Sequence, residues 1–184
     1  MKKYRIMIIG ASGTGTSSLG HDLAKELKVP HYDGDDYYWV DTDPPYTIKR
    51  DLVKKQELLK SDVDNNEGWI FSGSPASWAP FIITMLTHVI FIYLPWKVRR
   101  ERICIREQKR FGERIIPGGD MYENHQKFIE WAKGYDTNDT SSRTLSRHQE
   151  LLKSIDVPMM HIKDDVSIEN LLIKTEKFLE VSDG

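Results

Sequence analysis

Cysteine is almost absent from this sequence: Cys104 is the only one among 184 residues. A lone thiol cannot close an internal disulfide or supply a multi-cysteine metal site, so a reducing compartment fits best and a cytoplasmic location is expected. Long hydrophobic runs are missing as well. The most apolar stretch, Phe81 to Leu94, is interrupted by Thr84, Thr87 and His88 and falls short of the roughly 20 residues that span a bilayer. The apolar run behind the basic start ends at Ile9, too short for a signal-peptide core. Neither a targeting segment nor a membrane partner is expected. An excess of one charge is also lacking, with 26 Lys+Arg against 28 Asp+Glu and a net charge of −2. That balance, without a recognised binding module, argues against nucleic acid as a partner. There are no repeats and no dividing linker, and the length suits a single domain.

What is present is a core-forming composition, 39% hydrophobic and 29% charged, in which short β-like runs alternate with helix-like ones. Tyr4 to Ile9 reads as a buried strand, and Leu19, Leu23, Ala24 and Leu27 follow at helical spacing. A very short strand is expected at 31–33, then an irregular stretch through Pro44-Pro45 and a helix over about 51–60. Trp69 to Phe71 is the next strand, with Pro75 placed for a helix start. Val89 to Leu94 is the strongest strand. A long basic helix to about Phe111 comes next, then helices over about 121–135 and 143–153, a last strand at 158–162 and a closing helix. Continuous apolar strands with helices between them predict an α/β fold with a parallel sheet covered on both faces. Ligands in such folds bind at the carboxyl ends of the strands.

The first such end carries Gly10-Ala11-Ser12-Gly13-Thr14-Gly15-Thr16-Ser17, with the spacing of a phosphate-binding loop between a strand and a helix. Glycines let successive N–H groups turn towards an anion, and the helix start adds unpaired donors and a positive dipole end. Ser17 stands where a hydroxyl ligates Mg²⁺. The usual lysine is replaced by Thr16. The dinucleotide pattern G-x-G-x-x-G fails, because Ser18 occupies its third glycine position.

Residues 31–43 hold five carboxylates and no Lys or Arg. Asp33 and Asp35 fall at the second strand end, where a carboxylate can orient Mg²⁺ through water or accept a proton from a substrate hydroxyl. Tyr37, Tyr38 and Trp39 are candidate walls of an acceptor pocket, against the alternative of aromatics tucked into the core. Arg99, Arg102, Arg106 and Arg110, spaced three and four apart, form a stripe on one helix face. Such a stripe either meets an anion or is a solvated face relieved by Glu101 and Glu107. Arg143 and Arg147 form a second pair one helical turn apart. Residues 97–114 carry eight basic and three acidic residues, so the near-neutral total is a sum of opposed patches.

With these motifs in this order the chain resembles the P-loop small-molecule kinases, in particular the bacterial adenylate-kinase-like proteins, including those labelled DNA topology modulation proteins. The resemblance runs from Ile6 to about Ile162. It implies a P-loop NTPase fold with a five-stranded parallel sheet in the order 2-3-1-4-5, an acceptor-binding segment at about 36–62 and a short lid at about 107–120. It implies ATP and Mg²⁺ as cofactors and a small-molecule acceptor, a nucleoside monophosphate or another small hydroxyl compound. The nucleotide set is then Gly10, Ser12, Gly13, Thr14, Gly15, Thr16, Ser17 and Ser18, with Arg102 resembling an arginine that stacks on adenine. Metal contacts fall to Ser17 and Asp35. Asp33, Asp35, Arg106, Arg143 and Arg147 match catalytic positions, and Tyr38, Trp39, Arg50 and Gly73 acceptor positions.

Two departures stand out. Thr16 removes a cation from the transferring phosphates, and Ser72 stands where nucleoside monophosphate kinases commonly have Asp. Both leave the backbone cradle intact. They keep open a nucleotide-binding regulator without turnover and another lysine-free P-loop transferase, such as a sulfotransferase.

Overall fold

The computed structural model describes residues 3–137 and 143–182. Strands β1 (Arg5–Gly10), β2 (His31–Asp33), β3 (Trp69–Ser72), β4 (His88–Ile92) and β5 (Met159–Ile162) form one parallel sheet in the order β2-β3-β1-β4-β5. The helices are α1 (Thr16–Leu27), α2 (Gly34–Tyr38), α3 (Leu52–Asp64), α4 (Trp96–Phe111), α5 (Tyr122–Lys133), α6 (Leu145–Lys153) and α7 (Ile168–Ser182).

Side chains alternate across a strand, and here both faces are apolar, which is why the strands read as unbroken hydrophobic runs. Ile6 and Ile8 of β1 join Ile70, Ile90 and Ile92 on one face, covered by Leu19 and Leu23 of α1 and Leu171 and Leu179 of α7. Met7 and Ile9 point the other way, towards Phe71, Val89 and Phe91, under Leu59 and Val63 of α3 and Leu152 of α6. Each fully buried aliphatic side chain of this kind contributes about 1.5–3 kcal/mol.

The structure differs from the expected elements at three places. Pro75 does not start a helix. Its carbonyl accepts from the N–H groups of Trp78 and Ala79 (3.0 and 2.7 Å) in a single turn, and Pro80, which has no N–H, then opens a 3-10 segment, Pro80–Met85. The stretch after β2 is not wholly irregular, because Asp33 caps α2 by accepting from the N–H of Asp35 at 3.0 Å. Helix α3 runs on to Asp64, four residues beyond the expected end, because Leu59 and Val63 extend its buried stripe.

Candidate nucleotide and acceptor site

The chain leaves β1 through Gly10 and enters α1 with two residues in the left-handed region, Gly13 at φ 86° and Gly15 at φ 93°. A side chain there would be strained, and at Gly13 its Cβ would stand 2.7 Å from the carbonyl oxygen of Arg99. Thr14 is fully buried and donates its hydroxyl to the carbonyl of Ala11 at 2.8 Å, so it braces the loop from within. Gly15 caps α1 with no side-chain hydrogen bond, and the first turn holds no acid. By contrast α2, α3 and α6 are capped by Asp33, Asp51 and Thr144. The first-turn N–H groups of α1, with the exposed Ser17 and Ser18 beside them, are thus presented at the carboxyl edge of the sheet.

Ser72 lies one strand from this loop, its residue paired in register with Ile8 and Asp33. Its hydroxyl donates to the carbonyl of Thr16 at 3.1 Å and lies 2.9 Å from Nε2 of His31. Burial foremost holds His31 below its ordinary pKa, with Asp33 opposing and His21 adding. Gly20 makes room for this contact, since a Cβ there would stand 2.2 Å from the Ser72 hydroxyl. Ser72 therefore ties β3 to the start of α1. Gly73 follows at φ 136° against Gly34.

The six arginines of the two predicted groups separate, and Arg110 donates to the Tyr46 hydroxyl at 3.4 Å. Arg99 is fully buried between the rings of Trp96 and Tyr135, each 5.2 Å from its guanidinium carbon. It donates to the carbonyls of Leu94 (2.9 Å), Ala132 (3.0 Å) and Ser12 (3.4 Å) and pairs with Asp136 at 2.6 Å. It is a bracket behind the glycine loop, not part of an exposed stripe. Arg102 pairs with Asp165 and lies next to Gly15, its Nη1 3.8 Å from where a Cβ of that glycine would sit. Arg106 pairs with Glu107 at 2.9 Å and packs over Phe128. Arg143 packs against Trp131, 5.5 Å from the ring centre. Arg147 lines a groove of about 440 Å³ with Ser74, Ser77, His148 and Glu150.

Asp35 is where charges from distant parts of the chain meet. Solvent reaches its side chain, yet protein crowds it from several sides. That crowding pushes its carboxyl above the ordinary aspartate range; Arg143 pulls against this most, Asp33 adds to it, and Arg106 and Arg110 pull with Arg143. A carboxylate set among three arginines of two separate segments is a proton acceptor in a field that also attracts phosphate.

The aromatic residues divide. Tyr37 is core: it is buried, stacks on Trp78 and donates to Asp62 at 2.6 Å. Tyr38 and Trp39 are only partly covered and form a wall with Trp78 and Tyr46. Arg50, expected on an acceptor phosphate, instead donates to the carbonyls of Tyr37 (2.9 Å), Trp39 (2.8 Å) and Asp36 (3.3 Å). It holds the end of α2 to the start of α3. Sequence reasoning missed the buried chain Tyr135, His148, Ser74, whose links measure 2.9 and 3.3 Å. It also missed Lys55. Neither carries a spacing signal, because each depends on residues brought together from separate elements.

Among the described residues no group of three His, Cys, Asp or Glu gathers as a metal cage, and no helix is long and apolar enough to cross a membrane.

A five-stranded parallel sheet in the order 2-3-1-4-5, with a glycine loop opening the helix after its central strand, is the α/β fold of the P-loop kinases. Solved structures with this fold include shikimate kinase from Bacteroides thetaiotaomicron (TM-score 0.51, 18% identity, 96% of this chain and 98% of that one). A gluconokinase from Sinorhizobium meliloti (TM-score 0.53, 12% identity, 99% and 96%) and shikimate kinase from Aquifex aeolicus (TM-score 0.52, 18% identity, 97% and 98%) share it. No family model matches the chain. At the level of sequence it is 36% identical over 177 residues to the uncharacterized protein YqaC of Bacillus subtilis, covering 96% of this chain and 98% of that one, and it belongs to the same family.

Proposed function

We propose that this protein is an ATP-dependent kinase of a small hydroxyl acceptor, of the adenylate-kinase-like type. The observation that carries the reading is Asp35 set among Arg106, Arg110 and Arg143, on the same sheet edge as an uncapped phosphate loop. In this reading the N–H groups from Ser12 to Ser18 hold the nucleotide phosphates, and Arg102 borders the adenosine end. The Ser17 hydroxyl is an oxygen ligand of the kind Mg²⁺ shares with phosphates and water, and the Asp35 carboxylate would orient the ion through such a water. When bound, that ion neutralises charge on the phosphates. Asp35, with Asp33 beside it, orients the acceptor hydroxyl and takes its proton as the oxygen attacks the terminal phosphorus and the bond to the diphosphate breaks. Arg106, Arg110 and Arg143 balance the charge in transfer, which offsets the missing loop lysine. Residues 36–62 bind the acceptor, and 107–120 close over the nucleotide. Arg114, paired with both Asp120 and Asp43, joins these two segments.

The test is purified protein with Mg-ATP and a panel of nucleosides, nucleotides, sugars and hydroxy acids, read as product above blank. An ATP-dependent rise in Tm with no product across the panel would instead favour a regulator without turnover, the reading that Thr16 and the backbone-tied Ser72 keep open. Thr16→Lys separates the two: a faster transfer rate supports the kinase, and no rate in either form supports the regulator.

A further inference from the structure

Lys55 is a cation without an acidic partner in the segment that the proposed function assigns to the acceptor. Its neighbours on α3 are engaged: Lys54 pairs with Glu57 at 3.7 Å and Lys60 with Asp64 at 2.8 Å. Arg50 is taken up by three backbone carbonyls. No carboxylate pairs with Lys55 among the described residues. Asp51, whose field it feels, is turned onto the N–H groups of Val53 and Lys54 at 2.9 and 3.2 Å. Lys55 is 7% exposed. The ammonium sits 4.0 Å from the ring centre of Tyr38 and 5.8 Å from that of Trp78.

Two ring faces attract an ammonium but do not replace its water as an anion does. Burial, with Lys49 adding, lowers the pKa of Lys55, so an anion placed here gains from a poorly solvated and unneutralised charge. The position is also telling. Tyr38 is one helical turn after Asp35 on α2, so the two share a face. A molecule whose hydroxyl meets Asp35 extends past Tyr38 towards Lys55.

We infer that Lys55 and the rings of Tyr38 and Trp78 form an anion subsite, and that the acceptor is a hydroxy compound carrying a carboxylate or phosphate about one helical turn from its reactive hydroxyl. The inference rests on the proposed function for the identity of the ligand, but its test does not need activity.

Wild type and the variants Lys55→Arg, Lys55→Gln and Lys55→Met are titrated at constant ionic strength with inorganic phosphate and, separately, acetate, against chloride. Tryptophan fluorescence reports, because Trp78 is part of the site. Phosphate held at the glycine loop would respond alike in every variant, so the informative component is the one that depends on residue 55. A saturable change in wild type and Lys55→Arg, weakened roughly tenfold or lost in Lys55→Gln and Lys55→Met, is expected. The anion that produces it distinguishes a carboxylate site from a phosphate site. Superimposable curves for wild type and both neutral variants, or a wild-type response no larger than that to chloride, overturn the inference. The Tm rise with ATP, recorded on the same four proteins, tests the nucleotide reading separately: its absence in wild type counts against the proposed function whatever residue 55 does.

Discussion

At the scale of the residue, Asp35 and His148 show how surroundings set a proton's place. Crowding raises the Asp35 carboxyl, and a general base works in its deprotonated form. Transfer should therefore rise with pH through a value above the ordinary aspartate range and then level off. Asp35→Asn should lower kcat by about 10²–10⁴-fold and abolish that limb, as steady-state rates across pH with the acceptor found by the panel will show. His148 is 2% exposed, and burial, with Arg143 adding, pushes its pKa down to about 3. The unfolded chain binds this proton below about pH 6.5 and the folded chain does not, so stability is lost as pH falls from there towards 3. The slope attributable to this group is up to about 1.4 kcal/mol per pH step. A His148→Gln variant, which keeps a polar side chain between Tyr135 and Ser74, should show a flatter fall in Tm between pH 7 and pH 4.5, roughly the range to scan.

At the scale of the element, Arg99 joins three parts that are far apart in the chain: the loop after β1, the end of β4 and the end of α5. Its partner Asp136 lies beyond α5, on the way to Arg143. Removing one member of a buried ion pair leaves the other uncompensated, at a cost of about 3–5 kcal/mol. Urea unfolding of Arg99→Met should show a loss of that order, with Arg99→Lys retaining part of the stability. The loss should come with weaker ATP binding, since the carbonyl of Ser12 is one of the held groups. In the sequence Arg99 looks the same as Arg102 and Arg106, since period alone puts all three on one face. What sets it apart is Asp136 together with the rings of Trp96 and Tyr135, and no local spacing announces that these will meet. The glycine loop was legible because its conformational demand is local. Arg50 was legible as important but not in its task, because backbone carbonyls left open at a short helix end leave no mark on sequence.

At the scale of the whole molecule, the strand order came only from the resemblance to the P-loop kinases, whereas the two-sided core was readable from strands apolar on both faces. The short helix α2 and the turn at Pro75 were not, since a five-residue element capped by one Asp carries too few residues to show a period. The opposed patches of charge also have a consequence in solution. Arg106 and Arg110 of the basic segment 97–114 act on Asp35 together with Arg143, although the chain as a whole carries a net charge of −2. ATP binding should therefore weaken on going from low to physiological ionic strength, against the trend set by net charge, as calorimetric titration in rising salt will show.

The position of β1 at the middle of the sheet reaches beyond the finished fold. Its partners β3 and β4 are complete only at Ser72 and Ile92, so β1 waits about sixty residues for one neighbour and about eighty for both. At roughly 5–20 residues per second that wait lasts several seconds, with a strand apolar on both faces seeking a partner. Until both neighbours are in place, the unpaired edges of this apolar strand are open to association with other chains.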